Sequence, residues 1–104
     1  MRELHSAEEV LAQLDAPTDS VCMFHAPWCG HCVKTMPHFQ AAALAMQGQV
    51  DCFSADCHNS QMDEALKRYG LTGFPAFVRV TPSGEVRLLQ GARDVAALLA
   101  FMEA

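Results

Sequence analysis

Phe24-His25-Ala26-Pro27-Trp28-Cys29-Gly30-His31-Cys32 is the stretch on which the reading of this 104-residue chain turns. Before it, Ser20 to His25 is a short apolar run with β-branched and aromatic members, the size of a buried strand. Ala26 and Pro27 make a turn, and after the cysteines Val33, Met36, Ala43 and Met46 keep a helical period to about Gly48. The two cysteines therefore stand one turn apart at a helix start. That spacing brings their Cα atoms to about 5–5.5 Å, within the reach of a disulfide. The first of them sits where unpaired helical N–H groups and the macrodipole favour a thiolate. Gly30 lets a partner chain approach, and a protonated His31 adds a cation beside Cys29. A stabilised thiolate stabilises the dithiol, which makes the disulfide the stronger oxidant.

Outward from this centre the chain alternates between the two periodicities. Ser6 and Glu9 have capping-box spacing, and Val10, Leu11 and Leu14 give a first helix that Pro17 ends. Val50 to Ala55 reads as a second buried strand. Asn59 or Ser60 can cap a third helix, with Asp63 and Glu64 in its first turn and Gly70 at its end. Ala76 to Val80 and Glu85 to Leu89 read as a hairpin around Thr81-Pro82-Ser83-Gly84, a type I turn. Val95, Leu98, Leu99 and Met102 form the stripe of a last helix. Pro37 falls inside the second helix, removes a backbone donor and predicts a kink. The order helix, strand, helix, strand, helix, strand, strand, helix predicts an α/β fold, a mixed sheet with helices on both faces.

Composition narrows the classes. One domain over residues 1–104 is expected: a chain this size buries roughly 65 % of its unfolded surface, and 51 % hydrophobic residues fill one core. Charged residues make up 18 % and mean hydropathy is +0.09, which excludes a disordered tail. A net charge of −5 with no basic cluster argues against nucleic acid as partner. No apolar run approaches the roughly 18 residues of a membrane span. The start shows no secretory h-region, and five cysteines leave one unpaired, so a cytoplasmic monomer is expected. A secretory or endoplasmic reticulum origin with the targeting segment removed is the alternative.

A bare CxxC is also half a zinc site. Completing one would fall to Cys52, Cys57 and His58, and Cys52 reads as strand. A c-type haem is excluded because Val33 follows Cys32. Phe24 to Cys32 with Pro37 five residues on resembles the thioredoxin superfamily, and the CGHC centre resembles protein disulfide isomerase domains. Tyr69-Gly70-Leu71-Thr72-Gly73-Phe74-Pro75 resembles the family's second signature, ending in a cis-proline, and Gly91-Ala92 resembles its third groove loop. The resemblance runs from about Leu4 to the C-terminus. It implies a thioredoxin fold and protein thiol–disulfide exchange, with Cys29 as nucleophile and Cys32 as resolving thiol; His31, placed between them by the motif, is the third candidate catalytic residue. It also implies a substrate groove from Trp28, Gly30, Gly73, Phe74, Pro75, Gly91 and Ala92. Partners would be protein disulfides or dithiols and a reductase or the glutathione pool; no metal or bound cofactor is implied beyond the Cys29–Cys32 disulfide.

The sequence departs from that family at two linked positions. Six residues before Cys29, where a buried acid is usual, stands Met23, and the lysine that often pairs with it aligns on Cys52. In the family the carboxylate helps deprotonate the resolving thiol, so slow turnover is expected and a redox-sensing module that traps partners is the alternative function. A glutaredoxin-like, glutathione-dependent enzyme is a weaker rival, since Trp28 and the Gly-His pair point elsewhere. His25 reads as a partly buried, satisfied histidine, His38 as a helix-face residue, and His5 and His58 carry no signal. Cys22 alternates with Met23 and reads as a small buried hydrophobe on the other sheet face. Cys57 reads as an idle surface thiol in a loop.

Overall fold

Strand β2 (Ser20–His25) forms the middle of the molecule, and none of its first five residues meets solvent. The computed structural model describes residues 1–103. Residues Ser20 to Phe24 alternate between two cores, which a strand buried on both faces requires. Cys22 and Phe24 face one cluster with Val10, Leu14 and Phe53; Val21 and Met23 face the other with Phe39, Phe77 and Leu98.

On one side β2 pairs in parallel with β3 (Asp51–Asp56), which pairs in parallel with β1 (Arg2–Leu4). On the other side β2 pairs antiparallel with β4 (Ala76–Val80), and β4 with β5 (Val86–Leu88). The sheet order is β1-β3-β2-β4-β5. Helices α1 (Ala7–Asp15) and α3 (Asp63–Arg68) bury Val10, Leu14 and Ala65 in the first cluster. Helices α2 (Gly30–Ala45) and α4 (Val95–Glu103) bury Phe39, Ala42, Leu98 and Met102 in the second. The expected mixed sheet with helices on both faces is what forms.

Local signals act as their chemistry demands. The Ser6 side chain accepts from Glu9 N at 3.2 Å, and its hydroxyl donates to the Glu9 carboxylate at 3.0 Å. The residue before Pro17, Ala16, is extended, so α1 stops there. Gly84 N donates to Thr81 O at 2.8 Å, closing the hairpin turn, and Gly84 takes φ +88°, where a side chain would be strained. Gly70 likewise takes φ +65° just past α3.

Several expectations need correction. Strand β1 was not foreseen: only Leu4 of its three residues is buried, so it carries no alternation to read. Asn59 caps a single 3-10 turn, Ser60–Met62, before α3 begins at Asp63. Helix α2 ends at Ala45, not Gly48. Cys57 is not a surface thiol: it is 5 % exposed in the first core, with its Sγ donating to Ala55 O at 3.6 Å. The residues after it are polar and exposed, which disguised one inward-turned side chain at the strand's end. Among the described residues no helix is long and apolar enough to cross a membrane.

Near the start of β2 a buried ion pair ties β4 to Asp19 and to α4. Arg79 on β4 donates to both Asp19 carboxylate oxygens, at 2.9 and 2.8 Å, and to Phe101 O on α4 at 2.9 Å. Its side chain is only 7 % exposed. Asp19→Ala strips a buried guanidinium of its carboxylate and should lower unfolding stability by about 3 kcal/mol. Urea denaturation checks this; a loss below about 1 kcal/mol would show that the pair contributes little.

Candidate active site

The end of β2 and the start of α2 place the two active cysteines. Cys29 N donates to Ala26 O at 3.1 Å, which tightens the turn through Pro27 and Trp28. Cys29 is then the N-cap of α2, and its sulfur accepts from Cys32 N at 3.1 Å. Charge on that sulfur is met by an unpaired helical N–H, as the sequence predicts. The two cysteines are joined as a disulfide with Cα atoms 5.2 Å apart. They differ in access. Cys29 is partly exposed, whereas Cys32 is 2 % exposed beneath it. Of the two, only Cys29 is open to solvent.

Around this pair the surface is apolar. Trp28 and Val33 are 67 % and 66 % exposed. The Phe74–Pro75 bond is cis, and Pro75 is buried directly before Ala76, which pairs with Phe24 at the end of β2. Strand pairing thus carries the proline to the same end of the sheet as Cys29. Phe74 and Leu89 pack against the cluster that contains both cysteines, and Gly91 and Ala92 follow Leu89 as exposed loop residues. Gly73 is exposed, Gly30 opens α2, and His31 and His38 are both exposed on that helix.

Two features went unread in the sequence. A cleft of about 330 Å³ opens beside the disulfide, lined by His25, Ala26, Pro27, Cys32, Val33 and Met36. His25 Nε2 in turn lies 2.6 Å from Glu3 Oε1 on β1. No motif reports Glu3, because its importance depends on a strand that shows no pattern of its own. A larger hollow, about 840 Å³ and lined by Asp19, Leu44, Val50 and Cys52, lies at the opposite ends of β2 and β3.

The position of the usual buried acid is filled by Met23, wholly buried in the cluster with Cys32. Cys52 lies on the same sheet face. The other thiols are quiet. Burial pushes the Cys52 thiol up to about 12, helped by the nearby Asp51 and Asp19 carboxylates. Burial likewise pushes Cys57 up to about 12, with Asp56 and Asp63 adding to it and a backbone hydrogen bond at His25 opposing. Cys22 is raised by burial and by Cys57.

A helix-capping, partly exposed cysteine bonded to a buried one, on a mixed sheet that carries a cis-proline at the same end, defines a thiol–disulfide oxidoreductase site on a thioredoxin-type fold. The comparisons agree. The Thioredoxin family model matches residues 4–104, and the chain belongs to that family. Protein disulfide isomerase-like 2-3 of Oryza sativa subsp. japonica is 38 % identical over 80 residues, 75 % of this chain and 17 % of that protein. The crystal structure of the J-Trx1 fragment of ERdj5 superposes with a TM-score of 0.84 at 19 % identity, covering 98 % of this chain and 49 % of that one. Fasciola hepatica thioredoxin superposes at 0.77 with 27 % identity, covering 99 % and 97 %. The chain spans less than a fifth of the length of the curated relatives it matches.

Raised thiols stay protonated at neutral pH and do not react. In the reduced, folded protein at pH 7, iodoacetamide should therefore label Cys29 first. Cys22, Cys52 and Cys57 should be labelled only after unfolding, as read by mass spectrometry. Labelling of Cys57 as fast as Cys29 would contradict its burial.

Proposed function

We propose that this domain exchanges thiols and disulfides with protein substrates, carrying the electron pair on Cys29 and Cys32 without a bound cofactor. The observation that carries the reading is the 3.1 Å hydrogen bond from Cys32 N to the Cys29 sulfur. In the reducing direction the Cys29 thiolate attacks a substrate disulfide. A mixed disulfide forms and one substrate sulfur leaves as thiolate. Cys32 then attacks Cys29, restoring the internal disulfide and releasing the second substrate thiol. In reverse the same steps oxidise a dithiol.

The exposed Trp28, the Phe74–Pro75 step and the Gly91–Ala92 loop suit an extended peptide laid across Cys29. Electrons would come from, or go to, a reductase or the glutathione pool, with the protein acting as a monomer. Relatives named protein disulfide isomerases favour a compartment in which disulfides are made over the cytoplasm. The buried Met23 supports a second reading, a module that holds partners as long-lived mixed disulfides.

Cys29→Ser should abolish exchange with a peptide disulfide, whereas Cys32→Ser should retain the attack and accumulate the mixed disulfide, resolved by non-reducing mass spectrometry. Failure of Cys32→Ser to form that adduct would sink the exchange reading. With His31 beside Cys29, the couple titrated against glutathione should lie nearer the about −180 mV of protein disulfide isomerase than the about −270 mV of thioredoxin. His31→Pro should move it towards the lower value.

A further inference from the structure

Resolution of the mixed disulfide requires Cys32, a buried thiol, to lose a proton, and thiols held away from water ionise reluctantly. Met23 cannot take that proton. We infer that His25, held by Glu3, accepts it through the cleft that His25 and Cys32 share. The inference rests on the exchange reading above and names a step within it.

The arrangement is a base oriented by a carboxylate, lining the same cleft as a sulfur nucleophile. His25 lies on the same face of β2 as Val21 and Met23, the face that receives Cys32. Its side chain is 15 % exposed, so the ring is confined. Nε2 is engaged by Glu3 Oε1 at 2.6 Å, and Ser54, 4 % exposed, donates to the same oxygen at 3.4 Å. The carboxylate is thereby fixed from two sides. An Nε2–H donated to Glu3 leaves Nδ1 as the acceptor, and Nδ1 has no hydrogen-bond partner among the described residues. The cleft, about 330 Å³, is roomy enough for a water to bridge Nδ1 and the thiol.

Among the described residues no other charged group is hydrogen-bonded or ion-paired to the ring. Asp56, aligned with His25 across β2 and β3, accepts from His58 N at 3.1 Å and pairs with His58 Nδ1 at 3.1 Å. His5 approaches the same Asp56 carboxylate at 4.0 Å. Cys57 donates its backbone N–H to His25 O at 2.8 Å. Helix α2 brings only Cys32, Val33, Met36 and Pro37 to the cleft.

The step balances. The proton of Cys32 passes to Nδ1 by way of the water, and the thiolate pair attacks the Cys29 sulfur. The Cys29–Cys32 bond forms as the Cys29–substrate bond breaks. The substrate thiolate leaves and takes a proton from the imidazolium or from solvent. The substrate is reduced and the cysteine pair oxidised by two electrons. Glu3 is a positioning residue, because it acts only through the ring.

The test is quenched-flow of the reduced protein with a peptide disulfide from pH 6 to 9, reading formation and decay of the mixed disulfide separately. His25→Phe keeps an aromatic ring and removes the base. Its decay at pH 7 should be at least ten-fold slower than wild type and keep rising to pH 9, while formation is unchanged. Glu3→Gln, at a 41 % exposed side chain, leaves the fold undisturbed and should slow decay several-fold, with Glu3→Asp restoring part of it. Decay unchanged in rate and pH profile in both variants would overturn the proposal. So would equal slowing of formation and decay, the mark of general distortion. Failure of Cys32→Ser to form an adduct would instead sink the exchange reading, so the two failures are distinguishable.

Discussion

The hydrogen bond from Cys32 N to the Cys29 sulfur exists only if a helix begins at that residue, and much of the molecule serves to make it begin there. Strand β2 must stop at His25, and it can stop there because the next two residues, Ala26 and Pro27, enter a turn closed by Cys29 N on Ala26 O. The helix must then lie on the sheet, and Cys32, Phe39 and Ala42 supply the inward stripe that holds it. One geometric event produces two unlike sulfurs. The cap is left towards solvent, and the residue a turn later is carried underneath.

This asymmetry divides the labour. Cys29 has access and a donor that stabilises its charged form. Cys32 has protection and hence little chance to ionise unaided. Burial that guards the resolving thiol from stray reaction also creates its need for a proton acceptor. Family members usually place a carboxylate beneath the site, two strands deep in the sheet. Here that place is apolar, so the core keeps Met23 and avoids an isolated buried charge, which would cost several kcal/mol unless paired. The acid has moved to edge strand β1, where Glu3 reaches solvent and still touches the ring beside the cleft.

How much of this the sequence discloses follows from what each element must satisfy. Strands β2 and β4 are buried on both faces, and their apolar runs mark Ser20–His25 and Ala76–Val80 to the residue. The cysteine pair was legible because fixed spacing and residue type carry the chemistry; the cis bond before Pro75 was implied by the family resemblance alone, and the structure has it. Strand β1 was not legible. An edge strand of three residues with two exposed has no period, and its place beside β3 is decided by tertiary pairing. Glu3 was therefore invisible as a site residue, and His25 read as a partly buried, satisfied histidine, whereas only its Nε2 is engaged, by Glu3. Cys57 was misread for a related reason: its burial depends on how the chain leaves β3, which local composition does not encode.

The three remaining cysteines show why selectivity needs no further device. Disulfide exchange requires a thiolate in contact with a sulfur from outside. Cys22 is sealed between β2 and the helices α1 and α3, and Cys57 is held in the same core. Cys52 is partly exposed but lies near Asp51 and Asp19, whose charges oppose a second negative one. Burial suppresses all three chiefly by denying hydration, and acidic neighbours add to the suppression at Cys52 and Cys57. Cys29 is the only one of the five that caps a helix N-terminus, where the backbone itself supplies positive potential. Five thiols of identical intrinsic chemistry are thus separated by backbone geometry and solvent access. The proposed choice of Cys29 as nucleophile follows from where α2 starts.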